Sequence, residues 1–256
     1  MCRHLAYVGP PRSVASVVTD GPHNLVTQSW APADMRGGGT INADGFGVAW
    51  WPEGGEGATA YRNARPIWAD PAVVGVLTQV RSTGVMGAVR SATEGMPITA
   101  EACAPFTDGR WAFSHNGRID GWPGSVAALA EWLPAVELLT MPALTDSALL
   151  WTLVRRRLGV SPPGVVLRDV VTEVLDAAPR SRLNMMLGDG TTVWATAVDH
   201  ALSVRVDEAS ALVASEPVDD RDGWVPVPDG HAVEARPGHL DITELPTRNA
   251  YREGRA

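Results

Sequence analysis

The order of short apolar runs and helix-like segments is the feature that most limits what this chain can fold into. The first part of the chain carries short apolar runs that end at Gly, Pro, Asn or Asp, a pattern typical of strands bounded by turns. This pattern predicts strands at residues 5–8, 45–51, 87–89 and 111–114. The spacing of apolar residues then changes.

Longer segments with Ala, Leu and Val at helical spacing occupy the middle of the chain. They predict helices at residues 125–139, where Pro134 disturbs the pattern, at 146–158 and at 165–177. The middle of the chain is therefore expected to be helical.

Strands return in the last part of the chain. Asp189-Gly190 between two apolar runs indicates a β-hairpin. The later apolar runs predict strands at residues 202–206, 211–214 and 232–234. Strands, then helices, then strands indicate an α+β fold. Without an internal repeat or a long linker, we expect one domain over residues 1–256, with about 2–246 structured and 247–256 a frayed tail.

Composition excludes several classes of function. The 256 residues carry a formal net charge of -8, and all 21 basic residues are Arg. An acidic chain without a long basic run is not expected to bind nucleic acid or an anionic membrane, so a small-molecule ligand is expected. The absence of Lys excludes a Schiff-base lysine and a P-loop lysine.

The two cysteines, Cys2 and Cys103, stand far apart and outside any C-x-x-C motif. We therefore expect neither a disulfide framework nor a zinc finger. The sequence has no secretory signal pattern and no run of about 18 apolar residues, as a membrane span needs. A cytoplasmic protein is the expectation.

Cys2 raises a specific chemical question. If Met1 is removed, Cys2 carries a free α-amine. An α-amine has a pKa of about 8 and a cysteine thiol one of about 8.5, so near neutral pH a fraction of each group is reactive. The amine can accept the thiol proton, so nucleophile and base share one residue and no histidine is required. The alternative is an ordinary chain start with an inert cysteine.

Asn116 and Gly117 follow His115 at the end of a predicted strand. A tetrahedral intermediate needs hydrogen-bond donors for its oxyanion, and an Asn NH2 group beside a Gly backbone N–H can supply two. The alternative interpretation is a plain turn, in which His115 is structural.

Arg90 and Asp146 can together recognise an α-amino acid. Arg90 leaves an apolar run, and a guanidinium holds a carboxylate with two parallel hydrogen bonds. Asp146 stands at a predicted helix start, where it can pair with an ammonium group. The simpler alternatives are a surface arginine and a helix cap made by Thr145 or Asp146. Used together, the two residues predict a site for glutamate or glutamine.

Several short motifs occur in one order along the chain. They are Cys2, NADGFG at 42–47, RSATEGMP at 90–97, Pro105-Phe106, HNG at 115–117 and TDS at 145–147. This combination resembles the class II glutamine amidotransferases, which are N-terminal nucleophile hydrolases. The resemblance implies the fold of that family, a four-layer αββα sandwich of two stacked antiparallel sheets flanked by helices.

The resemblance also implies a nucleophile, two oxyanion donors and three contacts to a glutamyl group. These residues are Cys2; Asn116 and Gly117; and Arg90, Thr93 and Asp146. In the family, the arginine and the aspartate hold the α-carboxylate and the α-amine. No metal and no organic cofactor is implied.

One branch of the family, the amidohydrolases of ergothioneine biosynthesis in actinobacteria, is similar over nearly the whole chain. The likeness rests on segments such as MCRHL at 1–5, VRSAT at 89–93, APFTDG at 104–109 and ASEPVDD at 214–220. It implies hydrolysis of γ-glutamyl-hercynylcysteine sulfoxide to glutamate and hercynylcysteine sulfoxide. Ala104 departs from the histidine of many class II amidotransferases, so any contact of that histidine is absent or replaced.

The sequence ends soon after the amidase-like region, so we expect a stand-alone hydrolase rather than an ammonia-supplying subunit fused to a synthase. Two alternatives stay open. One is a γ-glutamyl amidase or glutaminase that acts on a glutathione-derived dipeptide or on glutamine. The other is a non-catalytic γ-glutamyl-binding module. The sequence does not decide the oligomeric state.

We predict that Met1 is absent from the active protein, because the base is expected to be the α-amine of Cys2. Intact-mass measurement of active protein should give a mass lower by one methionine residue. Retained Met1 in fully active protein contradicts the amine-as-base mechanism, whereas retained Met1 in inactive protein favours the binding module.

Overall fold

Two antiparallel sheets form the centre of the structure, a computed structural model that describes residues 2–36 and 41–246. Met1 and the predicted frayed tail at 247–256 lie outside the described residues. The strands are β1 (Arg3–Ser13), β2 (Phe46–Trp50), β3 (Thr59–Asn63), β4 (Arg81–Val89), β5 (Phe106–Asp108), β6 (Trp111–Arg118), β7 (Arg182–Gly188), β8 (Val193–Ala197), β9 (Ser203–Val206), β10 (Ala211–Ala214), β11 (Val225–Pro226), β12 (His231–Arg236) and β13 (His239–Glu244). The α-helices are α1 (Val14–Thr19), α2 (Leu25–Gln28), α3 (Pro71–Gly75), α4 (Ala127–Ala130), α5 (Ala135–Leu139), α6 (Asp146–Arg157) and α7 (Pro163–Ala177), and 3-10 helices lie at Ile67–Ala69, Ala100–Ala102 and Gly124–Val126.

The described residues form a four-layer αββα sandwich, which confirms the predicted fold class. The first sheet has the strand order β11-β9-β10-β1-β4-β2-β3, and the second has the order β13-β12-β8-β7-β6-β5. Helices α1 and α2 contact β1 and β4 of the first sheet, whereas α6 and α7 contact strands of the second. Separate apolar cores lie outside the first sheet, between the two sheets and outside the second sheet.

Side chains along β1 alternate between two of these cores, as the pleat of a strand requires. Leu5 packs in the outer core beneath α1, whereas Ala6 packs between the two sheets. Cys2 and His4 have the same parity as Ala6. The alternation therefore assigns both side chains to the face of the first sheet that looks toward the second.

The strands that the sequence pattern misses lie at the sheet edges. Apolar runs correctly predict parts of β1, β2, β4, β6, β9, β10 and β12, and the predicted hairpin joins β7 to β8. The pattern does not predict β3, β5, β11 or β13, and these are the terminal strands of the two sheets. An edge strand can keep polar and exposed residues, as β13 does with its sequence HLDITE, so it lacks the apolar signal.

The predicted helix at 125–139 is wrong as a single element. A 3-10 helix and the short helices α4 and α5 occupy this segment, and Pro134 is the N-cap of α5. Proline has no N–H for the helix ladder and disfavours helical conformation in the residue before it, so α4 ends before Pro134. The other two predicted helices are confirmed as α6 and α7.

Helices α6 and α7 cover the outer face of the second sheet. Phe113 of β6 stacks on Trp151 of α6, with ring centroids 5.6 Å apart and an angle of 19° between the ring planes. Val170 and Val174 of α7 are buried in the same core. This packing holds α6 against β6.

No helix in the two described ranges combines the length and the apolar character that crossing a membrane would require.

We predict that Phe113→Ala lowers the free energy of unfolding by about 3–5 kcal/mol, because it removes a fully buried ring and leaves a cavity under α6. Denaturant titration should show this loss. The control Leu139→Ala removes a side chain that is 85% exposed, and it should change the free energy of unfolding by less than about 0.5 kcal/mol. Equal effects of the two substitutions would contradict the packing described.

Candidate active site

Cys2 directly precedes β1 and lies beside the end of β4. The pairing of these strands puts Arg3 opposite Val89, so the same register brings Cys2 level with Arg90. The Cys2 Sγ lies 3.8 Å from the carbonyl oxygen of Ser91, and the side chain is partly exposed. The predicted nucleophile is thus adjacent to the predicted carboxylate-binding segment.

Arg90 is a buried residue at the end of β4, which does not fit the alternative of a surface arginine. Its carbonyl oxygen accepts a hydrogen bond from Asp44 N at 2.9 Å. Its guanidinium Nη1 donates to the Pro97 carbonyl oxygen at 2.8 Å. The Asp44 carboxylate accepts from Ala92 N at 2.8 Å. These bonds fix the loop that follows β4 next to the arginine.

Asn116 and Gly117 lie near the end of β6. Ala112 of the same strand packs between the sheets, and Asn116 shares its parity. The Asn116 side chain is fully buried; its Nδ2 donates to Ser215 Oγ at 3.1 Å, and its Oδ1 has no partner among the described residues. Gly117 has no room for a side chain, because a Cβ would overlap the carbonyl oxygen of Arg182.

Asp146 begins α6 and is almost fully buried. Thr145 is the N-cap, and its Oγ1 accepts from Ala148 N at 3.2 Å. The Asp146 carboxylate accepts from Ile119 N at 2.9 Å and from Ser147 N at 2.7 Å. The positive end of the helix dipole favours an anion in this first turn. The threonine caps the helix, and the aspartate is held just beyond β6.

Thr93 and Asp146 line one cavity of about 350 Å³. The walls come from the loop after β4, the segment after β6 and the start of α6. Cys2, Arg90 and Asn116 are not among the described residues that line it. The predicted site residues therefore fall into two adjoining groups, one at the ends of β4 and β6 and one in this cavity.

His115 connects the end of β6 to α6. Its Nε2 lies 2.9 Å from the Arg182 carbonyl oxygen and its Nδ1 3.0 Å from Ser147 Oγ. Because a carbonyl oxygen only accepts, Nε2 carries a proton and donates it to Arg182. The structural role considered for His115 agrees with these contacts. The plain-turn interpretation of 115–117 is wrong, because all three residues pair with β7.

Two buried polar residues that the sequence pattern does not select, His4 and Ser215, lie between the sheets at this end. His4 Nδ1 is 3.1 Å from Ser114 Oγ of β6, and Ser215 accepts from Asn116. Burial, with smaller contributions from nearby histidines and Arg3, lowers the pKa of His4 to about 3, so the ring is neutral. The sequence could have identified His4, because side chains two residues apart in a strand lie on the same face and His4 follows Cys2 by two. No local pattern in the sequence connects Ser215 to Asn116.

An ion pair on the opposite face of β1 anchors the strand beside Cys2. Arg3 Nη2 lies 3.4 Å from a Glu216 carboxylate oxygen, and both side chains are buried. The same carboxylate accepts from Ala33 N at 3.0 Å and from Asp34 N at 2.8 Å, and Arg3 also donates to the Asp34 carbonyl oxygen. The start of β1 is thus tied to the segment that follows β10 and to the loop after α2.

Cys103, the second cysteine, is fully buried. Its Sγ lies 3.3 Å from the Thr99 carbonyl oxygen and 3.5 Å from that of Asn63. Burial raises the pKa of the Cys103 thiol to about 11. A thiol in this state is a poor nucleophile near neutral pH.

The architecture is shared with a solved structure of a glutamine aminotransferase class-II domain protein from Silicibacter pomeroyi. The two superpose with a TM-score of 0.69 over 95% of this chain and 99% of that chain, at 22% sequence identity. This likeness concerns the fold alone, the αββα sandwich described above.

The family model described as glutamine amidotransferases class-II matches residues 16–208. This range contains Arg90, Asn116 and Asp146 but begins after Cys2. The γ-glutamyl-hercynylcysteine sulfoxide hydrolase of Mycolicibacterium smegmatis is 38% identical over 96% of this chain and 100% of its own length. The protein of the same name from Mycobacterium tuberculosis is 37% identical over 96% of this chain and 97% of its own. The chain belongs to the class II glutamine amidotransferase family.

We predict that His4→Gln makes stability less sensitive to acid. Between the unfolded pKa of about 6.5 and the folded value the unfolded state binds more protons, so stability falls as the pH drops through this window. One buried neutral histidine contributes about 1.4 kcal/mol per pH unit to this slope. Denaturant titrations between about pH 6 and pH 4 should therefore give a shallower slope for the variant than for the wild type.

His200 provides a second test of the same argument. Burial lowers its pKa to about 3, so His200→Gln should flatten the slope in the same direction. An unchanged slope in both variants would contradict the neutral, buried state of these rings.

Proposed function

We propose that this protein hydrolyses the γ-glutamyl amide bond of γ-glutamyl-hercynylcysteine sulfoxide, releasing glutamate and hercynylcysteine sulfoxide. The choice of substrate is supported by relatives of that name, which match 96% of this chain and nearly their whole length at 37–38% identity. We also propose that residues 2–246 form one catalytic domain that works in the cytoplasm on this small molecule.

One geometric observation carries the assignment of the site. Cys2 directly precedes β1, Arg90 directly follows β4 and Asn116 lies on β6. The pairing of β1 with β4 and the bonds of Ser215 to His4 and Asn116 bring these positions to one end of the sandwich.

A hydrogen bond from Ile119 N, two residues after Gly117, links this end of the sandwich to Asp146, which lines a cavity together with Thr93. A thiol, an amide donor, a guanidinium and a carboxylate are the groups that the proposed mechanism uses to cleave a γ-glutamyl amide.

Cys2 is the proposed nucleophile, with its own α-amine as the base after removal of Met1. The amine takes the thiol proton, and the thiolate attacks the γ-carbonyl carbon to form a tetrahedral intermediate. Asn116 Nδ2 and the Gly117 backbone N–H are the proposed donors to its oxyanion. Each such donor accelerates the reaction because it stabilises the negative charge that develops on the carbonyl oxygen.

The glutamyl group is proposed to bind between Arg90 and Asp146. The hydrogen bond to Pro97 uses one of the five N–H donors of Arg90, so the guanidinium has further donors for the α-carboxylate. The Asp146 carboxylate accepts two backbone bonds and has further lone pairs for the α-ammonium. Thr93, in the wall of the same cavity, is proposed as a further contact.

Collapse of the intermediate completes the first half of the reaction. The α-ammonium of Cys2 protonates the amide nitrogen as the C–N bond breaks, which releases hercynylcysteine sulfoxide and leaves a γ-glutamyl thioester. Water activated by the same amine then attacks the thioester carbon. Glutamate leaves, and the thiol recovers its proton. These steps balance without a metal or an organic cofactor.

We predict that the wild type hydrolyses synthetic γ-glutamyl-hercynylcysteine sulfoxide at least about 10-fold faster, in kcat/KM, than glutamine or glutathione, which lack its leaving group. Mass spectrometry of both products measures the rate. Cys2→Ala removes the nucleophile and should lower kcat by at least about 1,000-fold. The control Cys103→Ala removes the buried cysteine and should keep kcat within about 3-fold of the wild type.

Three different results would contradict three different parts of this proposal. Equal turnover of the three compounds would remove the substrate assignment but keep a γ-glutamyl amidase. A Cys2→Ala variant as active as the wild type would remove the nucleophile. Binding of γ-glutamyl compounds without turnover of any of them, in protein that retains Met1, would favour the binding module.

A further inference from the structure

We propose that Ser215 is a positioning residue that orients the Asn116 amide toward the oxyanion, an inference that rests on the proposed function. Ser215 follows β10 and is fully buried between the sheets. Among the described residues, the hydrogen bonds of its hydroxyl join it to His4 and Asn116 and not to Cys2, Arg90 or Asp146. Its role would be to decide which atom of the asparagine faces the reacting carbonyl.

The Ser215 hydroxyl is shared between two parts of the site. It accepts hydrogen bonds from His4 N at 3.0 Å and from Asn116 Nδ2 at 3.1 Å, and it can donate to the His4 carbonyl oxygen at 3.2 Å. His4 lies two residues from Cys2 in the chain. One hydroxyl therefore couples the strand that carries the nucleophile to the amide that is proposed to bind the oxyanion.

The observed amide orientation leaves one atom unsatisfied. Asn116 Oδ1 is buried and has no hydrogen-bond partner among the described residues. A buried acceptor without a donor is unfavourable. Because amide oxygen and nitrogen have nearly the same size, a half-turn of the side-chain amide keeps the packing and exchanges the two atoms.

The Ser215 hydroxyl can support the turned amide by exchanging one hydrogen bond for another. Its proton moves from the His4 carbonyl oxygen, which still accepts from Ser215 N at 2.9 Å, to Asn116 Oδ1. Nδ2 then occupies the place that Oδ1 holds now and becomes free to donate. With an oxyanion at that place, every polar atom of the asparagine is satisfied, so the charged intermediate favours the turned state.

A second buried serine provides a matched control. Ser114 lies on β6 between the same two sheets, and it is as well buried as Ser215. Its hydroxyl contacts His4 Nδ1 at 3.1 Å, not Asn116. Ser114→Ala and Ser215→Ala thus remove the same group from the same polar layer, and only Ser215→Ala removes the partner of the asparagine.

The test is a double-mutant cycle on the γ-glutamyl compound that the wild type hydrolyses best. Ser215→Ala should lower kcat by about 10-fold or more with KM within about 3-fold, because the orientation acts on the intermediate rather than on bound substrate. Ser114→Ala should stay within about 3-fold of the wild type in kcat. In the Asn116→Ala background, Ser215→Ala should lower kcat by less than about 2-fold, because its target is already gone.

Further variants separate positioning from folding. Ser215→Thr keeps the hydroxyl and should retain more of kcat than Ser215→Ala, with unfolding midpoints recorded for all variants. Should Ser215→Ala not fold, Ser215→Cys keeps the volume with a much weaker donor and takes its place in the cycle. Two outcomes would overturn the role of Ser215 while hydrolysis by the wild type stands. One is that Ser215→Ala lowers kcat by the same factor in the Asn116→Ala background as in the wild type. The other is that Ser114→Ala and Ser215→Ala lower kcat equally. A wild type inactive on every γ-glutamyl compound would overturn both proposals.

Discussion

The pairing of β1 with β4 is the constraint on which the rest of the site depends. It places Arg3 opposite Val89 and brings Cys2 level with Arg90. Because side chains alternate along a strand, a slip of one residue would move Cys2 to the outer face and Arg3 between the sheets. The buried contact between Arg3 and Glu216 on the outer face opposes such a slip, since a guanidinium between the sheets would lose its carboxylate.

The space between the sheets changes character along its length. Small and apolar residues such as Ala6, Ala112 and Ala195 let the sheets pack closely over most of the interface. At the end near Cys2, buried polar side chains replace them, with His4 contacting Ser114 and Asn116 contacting Ser215. Apolar contacts tolerate small shifts, whereas hydrogen bonds fix direction as well as distance. The polar end can therefore control the direction of a hydrogen-bond donor, as an oxyanion site requires.

The sequence predicts the inner strands and the two long helices but not every element. Inner strands carry apolar runs because both of their faces are covered, and the edge strands β3, β5, β11 and β13 lack that signal. The segment 125–139 has helical composition, yet Pro134 divides it. Taken alone, the tripeptide HNG at 115–117 could equally form a turn. Its pairing with β7 shows that it belongs to a strand.

The sequence by itself determined the fold class and the family and supplied the candidate site residues, because periodicity and short motifs are local properties of the chain. The tertiary structure decided which residues contact one another. It placed Asp146 against Ile119 beyond the end of β6, and it brought Ser215 to Asn116, from which it is separated by 99 positions. Such contacts depend on strand register and on the stacking of two sheets, and no local pattern in the chain encodes either.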